Sequence, residues 1–235
     1  MGEPLFHLQV AATLLGFAAL GWVLTKGYLL VGRYLVSFGF GGSAATLNCQ
    51  LNSGPAACSR LSLYSGAVFL LTFILGQKDP LLAVSVPLSI FLALSAYVDY
   101  YTHKLPDKLT VLVGVSVLTG LGLTLILTPV PHPLGLLYAG ALGAAVWALP
   151  LAVIYYGLRG MGKGDLKLGP LLGFWLGLYG YQVAYFGLLL AFFLGGVVAL
   201  ILVLAKRIEM RQRIAYGPFL ALGAYFSWLA HVILL

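Results

Sequence analysis

Long apolar runs dominate this sequence, and short segments between them hold most of its charges. Only 8% of the 235 residues are charged, whereas 61% are hydrophobic. A soluble domain carries about 25% charged residues, so a chain of this composition cannot hide its apolar surface in a water-soluble core. Because a helix of about 20 apolar residues crosses a bilayer, the sequence predicts an integral membrane protein.

The runs predict an all-α fold, a polytopic bundle of about eight transmembrane helices in a single membrane-embedded domain over residues 1–235. The first run, Leu5 to Leu24, lacks a basic segment before it, so we expect it to stay in the protein rather than be cleaved as a signal peptide. The predicted helices are residues 5–25, 62–76, 80–98, 108–128, 135–157, 168–180, 183–205 and 215–235.

The segment 168–180 is short for a membrane span and rich in glycine, so we expect it to be tilted, broken or partly within the preceding loop. Gly169, Gly173 and Gly177 repeat every four residues. This spacing predicts a face of small residues for close helix packing.

The formal charge of +7 comes from 13 basic and 6 acidic residues. Basic residues that flank spans mark the cytoplasmic side of a membrane and attract anionic lipid. We therefore predict membrane lipid as a partner and no nucleic acid. Most of the basic residues fall in three short segments: Lys104 and Lys108; Arg159, Lys163 and Lys167; Lys206, Arg207, Arg211 and Arg213.

Residues 26–61 are the least defined part of the pattern. The run Tyr28 to Leu47 is apolar apart from Arg33, and it fits a cytoplasmic or interfacial segment, a re-entrant segment or an additional span. Cys49 and Cys58 lack the four-ligand zinc pattern, and the inferred cytoplasmic side disfavours a disulfide. We expect unpaired thiols here, and we predict no metal and no cofactor.

The six acidic residues are few enough to compare singly. Glu3, Asp79 and Glu209 lie beside the terminus or beside basic residues, and we interpret them as solvated charges. Asp99 ends the apolar run Phe91 to Val98. An ionisable group at that depth is costly, which makes Asp99 a functional candidate.

Asp165 follows three alternating glycines, Gly160, Gly162 and Gly164. Such a backbone can adopt positive φ angles and approach another chain closely. A helix N-cap is an alternative interpretation of Asp165. A phosphate-binding loop is disfavoured, because no strand precedes the segment and neither glycine-rich fingerprint is matched.

The predicted topology puts Asp99 and Asp165 at helix ends on the same side of the membrane. Two neighbouring carboxyl groups hold their protons with different strength, so one acts as general base toward water and the other as general acid. Peptide hydrolysis without a covalent intermediate needs this combination. The pair therefore predicts an aspartic endopeptidase.

The segments around both aspartates resemble type IV prepilin (leader) peptidases, which are GxGD-type membrane aspartyl proteases. The resemblance rests on DYYTHKLPD at 99–107 with Leu109 and Thr110, GKGDLKL at 162–168 and YGPFLA at 216–221. It implies that Asp99 and Asp165 are catalytic, and since asparagine is also accepted at the position of Asp107, we interpret Asp107 as a helix cap. His103 is a lone histidine in a basic loop, and we interpret it as a solvated interfacial residue. Substrate-binding or loop-shaping roles are predicted for Pro106, Gly162, Gly164, Lys167, Gly217 and Pro218.

The resemblance also implies a substrate and a place. We expect removal of the short basic leader from prepilins or pseudopilins by a multi-pass protein of the bacterial inner membrane whose active site faces the cytoplasm. Many bacterial members carry two CxxC pairs and also methylate the new N-terminus; this chain has two cysteines, which makes N-methyltransferase activity doubtful. Two alternatives are an ion-coupled transporter or channel that uses intramembrane carboxylates and a presenilin-type intramembrane protease.

Overall fold

A computed structural model describes residues 3–23, 55–102, 106–158, 161–205 and 216–234, and the regular structure in these ranges is helical. The all-α prediction is confirmed for this part of the chain, and each predicted run corresponds to a helix. The helices are α1 Glu3–Trp22, α2 Pro55–Leu75, α3 Leu82–Thr102, α4 Asp107–Leu127, α5 Pro133–Val153, α6 Lys163–Gly177, α7 Tyr181–Leu204 and α8 Gly217–Leu234, and α5 continues as a π-helical turn, Ile154–Leu158.

Five helices in the described ranges are long and apolar enough to cross a bilayer. They are α3 over Leu82–Asp99, α4, α5 continued to Gly157, α7 and α8. The apolar stretches of α1 and α2 are shorter, and α6 has 15 residues. Leucine and isoleucine side chains such as Ile126, Leu134 and Leu204 point outward, as lipid-facing residues do. The chain is an integral membrane protein, although the predicted count of about eight spans is not reached by this criterion.

Several predictions concern residues outside the described ranges. Among them are the run Tyr28 to Leu47, Cys49, His103 and the basic residues 104, 159, 206, 207, 211 and 213. Helix α2 begins at Pro55 rather than at the predicted residue 62, and the predicted nature of segment 26–61 stays a prediction. Proline is favoured in the first turn of a helix, where its missing N–H would have no partner.

The helices form two compact units, and the single membrane-embedded domain stays a prediction. The first unit contains α1, α2, α3 and the part of α4 from Val111 onward. The second contains the first turn of α4, through Thr110, together with α5 to α8.

Helix α3 is the centre of the first unit and packs against α1 and α2. Its side chains are buried from Leu82 to Ser95. Helix α4 lies so close to α3 at Gly120 that an added Cβ would be 2.6 Å from the Cα atom of Val84. Such an approach requires glycine, because a methyl group there would overlap the neighbouring backbone.

Asp79, which precedes α3, corrects a prediction. It is a buried carboxylate rather than a solvated charge. Its Oδ1 accepts the backbone N–H of Leu81 at 2.8 Å and its Oδ2 accepts the hydroxyl of Ser85 at 2.9 Å. A carboxylate that accepts hydrogen bonds at a helix start satisfies groups that the helix leaves unpaired. Asp79 therefore has a structural role.

The predicted glycine face of α6 is confirmed in the second unit. It packs against α5: a Cβ added at Gly177 would lie 2.5 Å from the carbonyl oxygen of Ala139, and one at Gly173 would lie 2.8 Å from the Cβ of Trp147. Gly169 likewise lies against Leu151. Small residues at this spacing let the two backbones approach closely.

Three tryptophans, Trp147, Trp175 and Trp228, are fully buried in the second unit. The rings of Trp175 and Trp228 lie 6.1 Å apart and join α6 to α8. Trp147 donates its indole N–H to the carbonyl of Ala184 at 2.8 Å and thereby joins α5 to α7. A buried indole N–H needs such a partner, and the bond fixes the ring that supports the glycine face.

Candidate active site

Asp99 lies inside α3, near its C-terminal end. The sequence predicts that this helix ends at residue 98, but it continues to Thr102. The residue is only 4% exposed. The apolar stretch of α3 ends at this aspartate, so the first unit holds a buried carboxyl group at a helix end and not in the middle of a span.

Asp165 is the third residue of α6, which begins at Lys163 and not at residue 168 as predicted. The residue is 5% exposed, and its Oδ2 accepts the backbone N–H of Gly162 at 3.3 Å. Negative charge in the first turn is favoured by the helix dipole. Asp165 thus stabilises the start of α6, although it is not the N-cap residue itself.

Gly162 and Gly164 do not adopt the positive φ angles that glycine permits. Gly162 is extended, with φ −78° and ψ 152°, and Gly164 lies within α6. Among the glycines of the described ranges, a positive φ occurs at Gly180, in the turn between α6 and α7. The reason for the difference is the bond between Asp165 and Gly162, which draws the segment into the helix start.

Lys167 and Asp107 form an ion pair within the second unit. The Nζ atom of Lys167 donates to Oδ1 of Asp107 at 2.6 Å, and the two side chains are 54% and 74% exposed. Asp107 is the first residue of α4, after the buried Pro106. The pair joins the start of α4 to the N-terminal part of α6, and the predicted substrate-binding or loop-shaping role of Lys167 stays a prediction.

Gly217 and Pro218 open α8, as the motif predicts for a helix start. Proline is tolerated in the first turn because its missing N–H has no intrahelical partner there. Tyr216, just before them, accepts the backbone N–H groups of Phe219 and Leu220 at its carbonyl, at 3.0 and 3.1 Å. These residues shape the entry into α8.

The side chain of Tyr216 is the functional candidate that the sequence interpretation did not assign. Its ring lies 5.8 Å from that of Phe192, and its hydroxyl lies over Gly195, where an added Cβ would be 2.7 Å away. Burial, together with the negative charge of Asp165, raises the pKa of Tyr216 to about 12. The phenol is protonated at neutral pH, as tyrosine ordinarily is, and its pKa responds to the negative charge of Asp165. The sequence could have pointed to Tyr216 through its place as the first residue of the motif YGPFLA.

Comparison with known proteins identifies the family of the chain. Residues 86–203 match the model of the type IV leader peptidase family. The chain belongs to this family. The matched residues include Asp99 and Asp165, so the resemblance inferred from their flanking motifs is confirmed. No solved structure matches the chain.

Curated relatives of this leader peptidase family member carry the name "Prepilin leader peptidase/N-methyltransferase". The relative from Dickeya chrysanthemi is 33% identical over 180 residues, which are 74% of this chain and 59% of that protein. Those from Pseudomonas putida and Bacillus subtilis are 32% and 40% identical over 61% and 41% of this chain, and over 48% and 38% of their own length. The chain therefore spans about half the length of the relatives it matches.

Proposed function

We propose that this leader peptidase family member is a membrane aspartic endopeptidase that removes the short basic leader of type IV prepilins or pseudopilins. The main support for this proposal is that Asp99 and Asp165 are both buried carboxyl groups at helix ends, within the residues that match the family. The names of the relatives support prepilins as the substrates. The proposal covers peptide hydrolysis alone.

In the proposed reaction the two aspartates act on the same peptide bond. One carboxylate takes a proton from water while the water oxygen bonds to the scissile carbonyl carbon, and the other carboxyl group donates its proton to the carbonyl oxygen. The tetrahedral intermediate then collapses: the C–N bond breaks, the leaving amine takes the proton that the first carboxylate took from water, and the second carboxylate takes back a proton from a hydroxyl of the intermediate as the carboxyl product forms. No covalent bond to the enzyme forms.

The position of the aspartates favours a peptidase over a transporter. A carboxyl group that relays ions is expected near the bilayer midplane. Asp99 instead ends the apolar stretch of α3, and Asp165 lies in the first turn of α6. Residues at helix ends are suited to a substrate that meets the enzyme at the membrane surface.

We further propose that both units form one peptidase domain in the bacterial inner membrane, with the active site on the cytoplasmic side. The basic segments support this orientation, because Lys163 and Lys167 flank Asp165 and lysine marks the cytoplasmic side of spans. Membrane lipid is the expected surrounding of the outward apolar side chains.

The function is tested by co-expressing the protein with a prepilin and following the loss of the leader by gel mobility. Asp99→Asn and Asp165→Asn should each abolish processing, because amides cannot exchange the protons that the reaction moves. Asp107→Asn is the matched control and should still process the substrate, since the amide can accept a hydrogen bond from Lys167. Processing by either of the first two variants, present at wild-type abundance, would refute the proposal.

A further inference from the structure

Gly162 is an exposed residue next to the buried carboxyl group of Asp165, and both belong to the second unit. Asp165 is 5% exposed. Its Oδ2 accepts the backbone N–H of Gly162 at 3.3 Å, and a Cβ atom added at Gly162 would lie 3.4 Å from the same oxygen. The side of Gly162 that a side chain would cover therefore borders a carboxyl oxygen of the proposed site.

The backbone does not require glycine at this position. Gly162 has φ −78° and ψ 152°, an extended conformation that residues with side chains readily adopt. At Gly180, by contrast, φ is +127°, where a side chain would be strained. Conformational freedom thus accounts for the glycine at 180 and does not account for the glycine at 162.

Packing does not require glycine at 162 either. Among the described residues, sequence neighbours aside, a Cβ at Gly162 would meet Oδ2 of Asp165 and, at 4.0 Å, the backbone nitrogen of Gly164. Both are ordinary contact distances. A Cβ added at Gly177 of the same helix would instead lie 2.5 Å from the carbonyl oxygen of Ala139. The folded protein therefore has room for a methyl group at 162 and has none at 177.

The start of α6 would be more stable with serine than with glycine. Gly162 is the N-cap residue of α6, a position where serine, aspartate and asparagine are preferred over glycine. The side chain of Asp165 already accepts the N–H of this N-cap residue, which is half of a capping box. A serine hydroxyl at 162 would accept the N–H of Asp165 and complete the box. The glycine is thus explained neither by the backbone, nor by packing, nor by the helix start.

The remaining property of Gly162 is the free space that it leaves beside Oδ2 of Asp165. Hydrogen bonds to oxygen join heavy atoms about 2.7–3.0 Å apart, so an atom about half an ångström closer to Oδ2 than the Cβ position would bond to the carboxyl group. General acid–base catalysis needs a carboxyl group at this distance from the reacting atoms. A peptide that lies on Gly162 therefore brings its backbone to Asp165.

We propose that Gly162 is a substrate-contacting residue: the substrate backbone at the scissile bond packs against its Cα atom and thereby reaches Oδ2 of Asp165. A side chain at 162 would occupy the place of the substrate while leaving the fold intact. The inference rests on the proposed peptidase function and adds a residue to it.

The test measures prepilin cleavage and thermal unfolding of the purified protein with Gly162→Ser and Gly162→Ala. Both variants should lower kcat/KM roughly 10- to 100-fold, because displacing a reacting group by about 1 Å costs up to about 100-fold in rate. The unfolding midpoint should be equal to or above that of the wild type for Gly162→Ser, and below it for Gly162→Ala, since alanine is a poor N-cap. Cleavage and stability should therefore change in opposite directions in the serine variant.

Gly157→Ala is the matched control. Gly157 is exposed and precedes Gly162 by five residues, and a Cβ built there has no described atom within 4 Å. This variant should keep the wild-type kcat/KM. If cleavage falls in Gly162→Ala alone, in step with its lower stability, glycine serves the helix start and the inference is overturned. An equal loss of cleavage in Gly157→Ala would also overturn it, because that methyl group does not touch Asp165.

Failure of this inference is distinguishable from failure of the proposed function. If the wild-type protein cleaves prepilin and needs both aspartates, but both Gly162 variants cleave with wild-type kcat/KM, the role of Gly162 is wrong and the peptidase function stands. If the wild-type protein does not cleave prepilin, or if the aspartate variants cleave it, both proposals are overturned.

Discussion

A methyl group at Gly173 is the sharpest test of the contact between α5 and α6. An added Cβ would lie 2.8 Å from both Cβ and Cδ1 of Trp147 and closer still to the carbonyl oxygen of Gly143. Ordinary carbon contacts are about 3.5–4.0 Å, so the helices have to separate. Trp147 cannot swing away, because its indole is buried and bonded to Ala184.

The expected change in the free energy of unfolding combines two opposing effects. Overpacking of a well-packed interface costs about 1–3 kcal/mol, and a clash with backbone belongs at the upper end of that range. Replacing glycine by alanine in a helix stabilises the helix by about 1 kcal/mol. We therefore expect Gly173→Ala to lower the free energy of unfolding by about 2 kcal/mol.

Gly196→Ala in α7 is the matched control. No atom lies within 4 Å of a Cβ built at Gly196, so only the gain in helix propensity remains, and this variant should be as stable as the wild type or up to about 1 kcal/mol more stable. Unfolding in mixed detergent micelles, followed by fluorescence of the buried tryptophans, measures both variants. If Gly173→Ala shifts the transition in the same direction as Gly196→Ala, the described packing of α5 on α6 is wrong.

Three further predictions concern charged and titrating groups. Lys167→Asp and Asp107→Lys should each lower prepilin cleavage, and each should lower the free energy of unfolding by only roughly 0.5–1 kcal/mol because the ion pair is exposed. The double variant should restore both cleavage and stability, and additive losses in the double-mutant cycle would show that the two residues are not coupled. Burial and the charge of Asp165 raise the pKa of Tyr216 from 10.0 to about 12, so the stability that the protonated phenol contributes below pH 10 should be lost as the pH rises to 12. Tyr216→Phe should flatten this fall of Tm with pH, and an unchanged fall would contradict the raised pKa of Tyr216. Asp79→Ala should lower the free energy of unfolding by about 1–3 kcal/mol, because it removes the acceptor of the Leu81 N–H and the shorter of the two bonds of the Ser85 hydroxyl. Cleavage per folded molecule should stay unchanged, and a wild-type unfolding transition would speak against this role.

The helices could be predicted because lipid demands long apolar runs, and the glycine face of α6 could be predicted because its four-residue spacing is local. The sequence predicts that α6 begins at residue 168, five residues after its start at Lys163 in the structure. Glycines at 162 and 164 were interpreted as loop formers, whereas the bond from Gly162 to Asp165 begins the helix earlier. Local composition does not reveal which side chain will accept a backbone N–H.

Long-range contacts could not be predicted either, because the local sequence does not reveal the partner of a side chain. Lys167 and Asp107 are 60 residues apart in the sequence, and nothing near either residue indicates the other. Asp79 follows a lysine and therefore resembles a surface charge, yet Ser85 and the start of α3 bury and satisfy it. Tyr216 stood within a quoted motif, but the motif does not reveal that its phenol is influenced by the charge of Asp165.

Locating the cut by mass spectrometry, after incubation of the purified protein with a prepilin, tests the central claim most directly. We expect wild-type protein to produce one cut, at the end of the basic leader, and Asp99→Asn and Asp165→Asn to leave the substrate intact. A cut within the apolar segment of the substrate, or the leader cut in either variant, would contradict leader removal by these two aspartates.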